Sequence, residues 1–220
     1  MDHDYWLGRW ERGETGWHQA EVEPALIRHL GDLEPTRVLV PLCGKTLDLA
    51  WLASRGHEVI GVELSTQACR EFFTGQGIPF NESGPGPFKK FEGGGVTILN
   101  GDFFALTPAD IGRLGAVYDR AALIALPRAM RPRYASKLRE LLAPSLAEAR
   151  IRAAFRFLQI VIERTPHNEK GPPHSVPEAE VRALYEDLFR ISLESTETVD
   201  VGPQSGTVAD EKVFVFVPKT

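Results

Sequence analysis

Short apolar runs rich in β-branched residues alternate along the chain with stretches in which apolar residues recur every three or four positions. The first pattern fits buried strands and the second amphipathic helices; their alternation predicts an α/β fold with a mainly parallel sheet. Residues 37–41, 58–62, 96–99, 114–118, 158–162, 190–193 and 212–217 read as seven strands. Between them, Val22, Leu26 and Leu30 share a helix face that should end near Gly31. Leu47 and Trp51 stand one turn apart in a helix that Thr46 is placed to cap and Gly56 to end. Ser65 opens another, with Cys69, Phe72 and Phe73 facing inward. Thr107-Pro108-Ala109-Asp110 is a capping pattern with proline at the first helical position. Tyr134, Leu138, Leu141 and Leu142 line one helix face. Val181, Leu184, Tyr185 and Leu188 line another, after capping-box spacing at Ser175 and Glu178. Residues 75–95, with their Gly-Pro and Gly-Gly-Gly runs, read as a long loop. The expected architecture is a Rossmann-like, doubly wound sheet of seven strands with helices on both faces. It is mostly parallel, with one antiparallel strand near the C-terminus contributed by the final hairpin. With no composition break and no repeat, residues 1–220 read as a single domain.

Composition narrows the function classes. The 25 basic and 30 acidic side chains leave a net charge of −5, with no long Lys/Arg run. That is a poor match for a nucleic-acid partner. Two cysteines, Cys43 and Cys69, are too few for a disulfide framework and read as buried small apolar groups. His167 and His174 lack partners for a metal site, and no metal is expected. Neither a signal peptide nor an apolar run long enough to span a membrane is visible. The expectation is a soluble, cytoplasmic protein without membrane or nucleic-acid partners, its oligomeric state open with a monomer favoured.

In open α/β sheets the ligand lies beyond the carboxyl ends of the strands, where strand order reverses. Glu63 ends the second strand nineteen residues after Gly44, a spacing at which a carboxylate accepts from both ribose hydroxyls of an adenosine cofactor. The turn after the first strand, Pro41-Leu-Cys-Gly-Lys-Thr-Leu-Asp48, has a single glycine. A dinucleotide needs G-x-G-x-x-G around its pyrophosphate, and a P-loop needs a glycine where Leu39 stands. S-adenosyl-L-methionine has no pyrophosphate and tolerates this turn. Asp102, after the third strand, is placed either to accept from the adenine amino group or to cap its own turn, and Phe103 to cover the ring. Asp119-Arg120 ends the fourth strand where a methyl-transfer centre would lie, although a surface ion pair fits the same residues. Trp6, Trp10 and Trp17 crowd into an otherwise polar N-terminal stretch and are too apolar to leave in water. They either staple the terminus to the core or form an aromatic lid over the cofactor sulfonium or the substrate.

Trp6-x3-Trp10, Gly13-Glu-Thr-Gly-Trp17-His18-Gln19, Pro41-Leu-Cys-Gly-Lys45, Arg55-Gly-His57, Gly61-Val-Glu63, Asp119-Arg-Ala-Ala-Leu123 and Gly171-Pro-Pro173 together resemble the thiopurine S-methyltransferase family, over essentially the whole chain. The resemblance implies a class I S-adenosylmethionine-dependent methyltransferase of the bacterial type. Residues 1–20, with Trp6, Trp10 and Trp17, would form the lid. Leu42 and Gly44 would line the methionine end of the cofactor, Glu63 would hold its ribose, and Asp102 and Phe103 would face the adenine. Arg120 would lie by cofactor and substrate, as the one catalytic group, keeping the acceptor anionic. The implied substrate is a small aromatic or heterocyclic thiol, or alternatively a selenium or tellurium compound; a non-catalytic cofactor-binding relative is the third reading. Two departures stand out. Residues 145–157 fill a place where the family has a short turn, and 147–154 look helical, which predicts an insertion. Arg164-Thr165 replaces a Tyr-Asp pair, and no arginine follows Arg190, which leaves Arg120 without a second arginine at the acceptor.

Overall fold

The computed structural model of the chain describes residues 3–84, 86–120, 122–165, 171–200 and 208–219. Its strands are β1 (Arg37–Pro41), β2 (Glu58–Glu63), β3 (Asn81–Ser83), β4 (Lys89–Gly93), β5 (Val96–Asn100), β6 (Ala116–Asp119), β7 (Arg156–Arg164), β8 (Phe189–Asp200) and β9 (Val208–Pro218). They form one sheet in the order β3-β4-β5-β2-β1-β6-β7-β9-β8. The helices are α1 (His3–Glu11), α2 (Pro24–Leu30), α3 (Asp48–Ser54), α4 (Thr66–Gly75), α5 (Pro108–Ile111), α6 (Ala122–Ala125), α7 (Arg131–Leu146), α8 (Ala149–Ala154) and α9 (Glu178–Tyr185). No helix among the described residues is long and apolar enough to cross a membrane.

Successive side chains of a strand point to opposite faces, and the central strands feed two cores in this way. Val38, Val40 and Val59 pack with α2, α3 and α4 on one face. Leu39, Ile60 and Val117 pack with α5, α7 and α9 on the other. Both faces are therefore apolar, as a covered parallel sheet requires. The chain runs from β1 outward through β2 to β5, then returns to β6 beside β1 and continues to β7. The strand order thus reverses between β1 and β6, and this gap fixes the site.

All seven expected strands are present, but the expected sheet of seven with one antiparallel strand is corrected to nine. The pairings β1–β2, β1–β6, β2–β5 and β6–β7 are parallel. Those of β3–β4, β4–β5, β7–β9 and β8–β9 are antiparallel. The error lies in 75–95. Gly94 (φ 56°) and Gly95 (φ 82°) both take the left-handed conformation between Gly93 and Val96, which pair across the turn. Two positive-φ residues in a two-residue loop make the tight hairpin turn that glycine favours. What reads as a loop is therefore a turn flanked by strands. β4 was concealed because it buries only Phe91, and β3 buries nothing.

Smaller differences have local causes. Val22 lies outside α2, which Glu23 caps by accepting the Ala25 N–H. Ser175 does not cap α9; its hydroxyl accepts the Arg164 N–H instead. The N-terminal tryptophans lie on and beside a helix, α1, that the polar composition hid. Ser65 caps α4 and the Thr107–Asp110 capping box forms, both as the spacing predicts. A Gly95→Ala substitution should cost roughly 1–2 kcal/mol, the usual penalty for a side chain in the left-handed region. Chemical denaturation of that variant with an unshifted midpoint would contradict the turn.

Candidate active site

The carboxyl ends of β1, β2, β5 and β6 floor a cleft of about 1130 Å³, its open mouth included. It is walled by Trp6, Trp10 and Trp17 on one side and by Ile124, Ala125, Pro172 and Pro173 on another. The floor is built around Glu63. This carboxylate is buried, with one oxygen accepting the Gly44 N–H at 2.9 Å and the other the Ser65 N–H at 2.7 Å. One side chain thereby joins the turn after β1 to the turn after β2. Burial pushes its pKa up, and the N–H groups that it accepts pull it back. A carboxylate has about four lone-pair sites, so two acceptor positions remain after these bonds. Asn100 on β5 fixes the same corner by donating to the carbonyls of Glu63 (2.9 Å) and Leu64 (2.8 Å).

The turn itself is tightly set. Cys43 donates its N–H to the Val62 carbonyl at 3.0 Å. A Cβ on Gly61 would meet the Cys43 sulfur at 2.7 Å, so only glycine lets the turn lie against β2. Gly44 has φ 55°, and a Cβ there would face the Trp10 ring at 3.4 Å. Leu42 is the one non-glycine with positive φ (49°) among the described residues. Strain of this kind collects where a structure holds a ligand. Cys43 and Cys69 are buried, and burial pushes both thiols well up, which leaves them inert.

Trp17 meets Trp6 at 5.5 Å and Trp10 at 5.8 Å, edge to face in both cases. The guanidinium of Arg9 lies 4.7 Å over Trp17, and the Lys45 ammonium 5.8 Å from the Trp10 ring. Trp51 packs at the margin of the core under α2, α3 and α4, away from the cleft.

The Asp119-Arg120 pair divides. Arg120 enters the cleft with its guanidinium 3.8 Å from Glu23 and 3.9 Å from Asp48. Asp119 turns into the core, fully buried. It accepts from the Tyr134 hydroxyl (2.7 Å), the Gln159 amide (3.0 Å) and the Ala122 N–H (3.0 Å). Burial raises its pKa to about 6 against the pull of those donors. Asp48, which is not among the site residues expected from sequence, is nearly inaccessible. It accepts from the Glu23 N–H (2.9 Å), the Thr46 hydroxyl (2.9 Å) and the Tyr118 hydroxyl (2.8 Å). Its signal was the Thr-x-Asp spacing at the start of α3.

Of the predicted site residues, Trp6, Trp10, Trp17, Leu42, Gly44, Glu63, Phe103 and Arg120 line the cleft. Asp102 does not: its carboxylate accepts the Phe104 N–H at 2.9 Å and lies 3.7 Å from the His3 ring. Arg164 donates to the Pro173 carbonyl at 2.7 Å, and the His174 N–H to the Ile124 carbonyl at 2.7 Å. Arg164 and His174 therefore hold the Pro172-Pro173 wall in place. His167 and the loop 201–207 lie outside the described residues.

A sequence model of the thiopurine S-methyltransferase family matches residues 1–216. The chain belongs to that family. Thiopurine S-methyltransferases of Pseudomonas fluorescens and Azotobacter vinelandii are 44% and 46% identical to it, each over 88% of this chain and 86% of the relative. Among solved structures, the Burkholderia thailandensis 1,6-didemethyltoxoflavin-N1-methyltransferase, with S-adenosylhomocysteine bound, superposes with a TM-score of 0.65 at 19% identity. The match covers 99% of this chain and 87% of that one. Haemophilus influenzae TehB gives 0.61 at 11% identity, over 99% and 67%. As in the family at large, S-adenosylmethionine is the cofactor, and the cleft fits it. Glu63 keeps acceptor capacity toward the space above the Leu42–Gly44 turn, and Trp10 closes over Gly44.

Asp119 yields a pH prediction. Its folded pKa lies above its ordinary value of about 3.9, so the folded state holds the proton more tightly. The stability this contributes is complete below about pH 3.9 and is lost as pH rises through about 6. Melting temperatures across pH 4–6 should fall with pH in the wild type and less steeply in Asp119→Asn. Parallel curves would refute the assignment.

Proposed function

We propose that this family member transfers the methyl group of S-adenosylmethionine to the sulfur of small aromatic or heterocyclic thiols. The observation that carries the reading is one cleft that combines two kinds of lining. Polar groups are organised by Glu63 and the single-glycine turn. Trp6, Trp17, Ile124, Ala125 and two prolines supply apolar walls. Flat, polarisable acceptors fit between such walls, and the net negative charge supports a small acceptor over a nucleic acid.

S-adenosylmethionine, when bound, supplies an electrophilic methyl on a good leaving group, so the protein's share is alignment and exclusion of water, which can be worth roughly 7–11 kcal/mol. Glu63 holds the ribose hydroxyls with its remaining lone pairs. Leu42 and Gly44 border the methionine end and Phe103 the adenine. Residues 1–20 act as the lid, with Trp10 and Trp17 as its inner faces. Arg120 favours the anionic form of the acceptor electrostatically. Its charge is already faced by Glu23 and Asp48. That favours a soft thiolate over a selenium or tellurium oxyanion, which would need uncompensated cations.

Three outcomes are expected. Glu63→Ala should weaken S-adenosylmethionine binding about 10- to 100-fold, as for loss of hydrogen bonds to a charged group; equal affinity in calorimetry would sink the role. Arg120→Ala should slow turnover by more than it weakens cofactor binding, and unchanged turnover would refute its part in the reaction. S-adenosylhomocysteine formation should appear with 6-mercaptopurine or thiophenols and not with selenite or tellurite. The reverse pattern would move the function to metalloid methylation.

A further inference from the structure

Methylating a thiol that arrives protonated releases a proton, and the cleft must have somewhere to put it. Its lining offers few takers. Arg9, Lys45 and Arg120 are cations. Glu63 is committed to two backbone N–H groups and, in the reading above, to the ribose. Asp48 also lines the cleft, but it is almost wholly buried and its carboxylate already accepts three hydrogen bonds. Tyr118 donates to Asp48, and burial pushes the Cys43 thiol well up.

His18 remains. It follows Trp17 directly, lines the cleft and is half-buried. Its ring makes no hydrogen bond or ion pair with any described residue. The charged groups facing it are Lys45 and Arg120 on one account and Asp48 and Glu71 on the other. Burial first, then Lys45 and Arg120, hold its pKa below the ordinary histidine value against the opposing pull of the two carboxylates. An imidazole of this kind is neutral at pH 7 and presents a free lone pair, which is the form that a general base needs.

We propose that His18 is the general base that deprotonates thiol acceptors entering the cleft in their neutral form, an assignment that rests on the thiol-methylation reading. The acceptor S–H bond breaks with its electron pair left on sulfur, and the proton passes to the free imidazole nitrogen. The sulfur then bonds to the methyl carbon, whose bond to the sulfonium breaks with the pair staying on the departing sulfur. The imidazolium returns its proton to water. Arg120 steadies the thiolate while His18 makes it. Acceptors already ionised at neutral pH have no need of the second group.

The test pairs an acceptor that is ionised at pH 7, p-nitrothiophenol, with one that is protonated there, benzyl thiol, in the wild type and in His18→Gln. General-base catalysis is typically worth about 100-fold or more. His18→Gln should therefore lower kcat/KM for benzyl thiol at least about 30-fold more than for p-nitrothiophenol. With benzyl thiol, the wild-type rate should be flat across neutral pH, and the variant's should rise in proportion to hydroxide. In the cofactor-free protein, the His18 ring proton in NMR should titrate below the ordinary histidine range. Equal losses for both acceptors, a flat profile in the variant, an unshifted His18 titration, or a wild type that turns over p-nitrothiophenol but not benzyl thiol would each overturn the proposal. A wild type silent with both thiols would instead sink the thiol-methylation reading itself. A melting temperature and a cofactor affinity of His18→Gln matching the wild type would exclude misfolding as the cause of a lower rate.

Discussion

The site depends on one buried carboxylate tying two turns together. Glu63 sits at the end of a strand whose neighbours on both sides are parallel, so its backbone is fixed by the ladder and its side chain alone decides what lies above it. By accepting from Gly44 and Ser65 it sets the path of the chain after β1 and after β2 at once. Burying a carboxylate is costly unless it is well hydrogen-bonded, and here the backbone supplies two donors with capacity left over. A ligand offering two hydroxyls would complete the set. The glycine at position 61 and the positive φ at Leu42 follow from the same constraint, since both let the turn press down onto β2.

A second knot forms across the strand-order reversal. Asp48 takes hydrogen bonds from the segment before α2, from the turn after β1 and from β6, and stands beside Arg120. Glu23, the cap of α2, faces the same guanidinium. The arginine is therefore held among carboxylates that orient it and blunt its field. Beyond it, Arg164 and His174 pin the proline wall to β7 and α6. Arg164 is thus spent on the proline wall, which leaves Arg120 in the cleft without it.

Much of this was legible in the sequence. The parallel strands announce themselves as continuous apolar runs because both of their faces are covered, and Ser65 and Thr107 mark helix starts by a local hydrogen bond that needs no tertiary context. Glu63 was legible from its spacing, and the tryptophans from the cost of exposing them. The β3–β4 hairpin was not, because an edge strand with one buried residue carries almost no periodicity. Nor was the division of Asp119 from Arg120: two adjacent residues at a strand end point opposite ways, and which one faces the ligand depends on register. Asp48 was hidden for a related reason. Two of its three partners, Glu23 and Tyr118, lie more than twenty residues away in sequence, and the local Thr-x-Asp spacing records only Thr46.

The most direct test is a crystal structure of the protein with S-adenosylhomocysteine. Both ribose hydroxyls should donate to Glu63 while its bonds from Gly44 and Ser65 persist, with Trp10 and Trp17 closed over the methionine end. A ribose bound elsewhere, or a Glu63 side chain released from Gly44 and turned out of the floor, would contradict it.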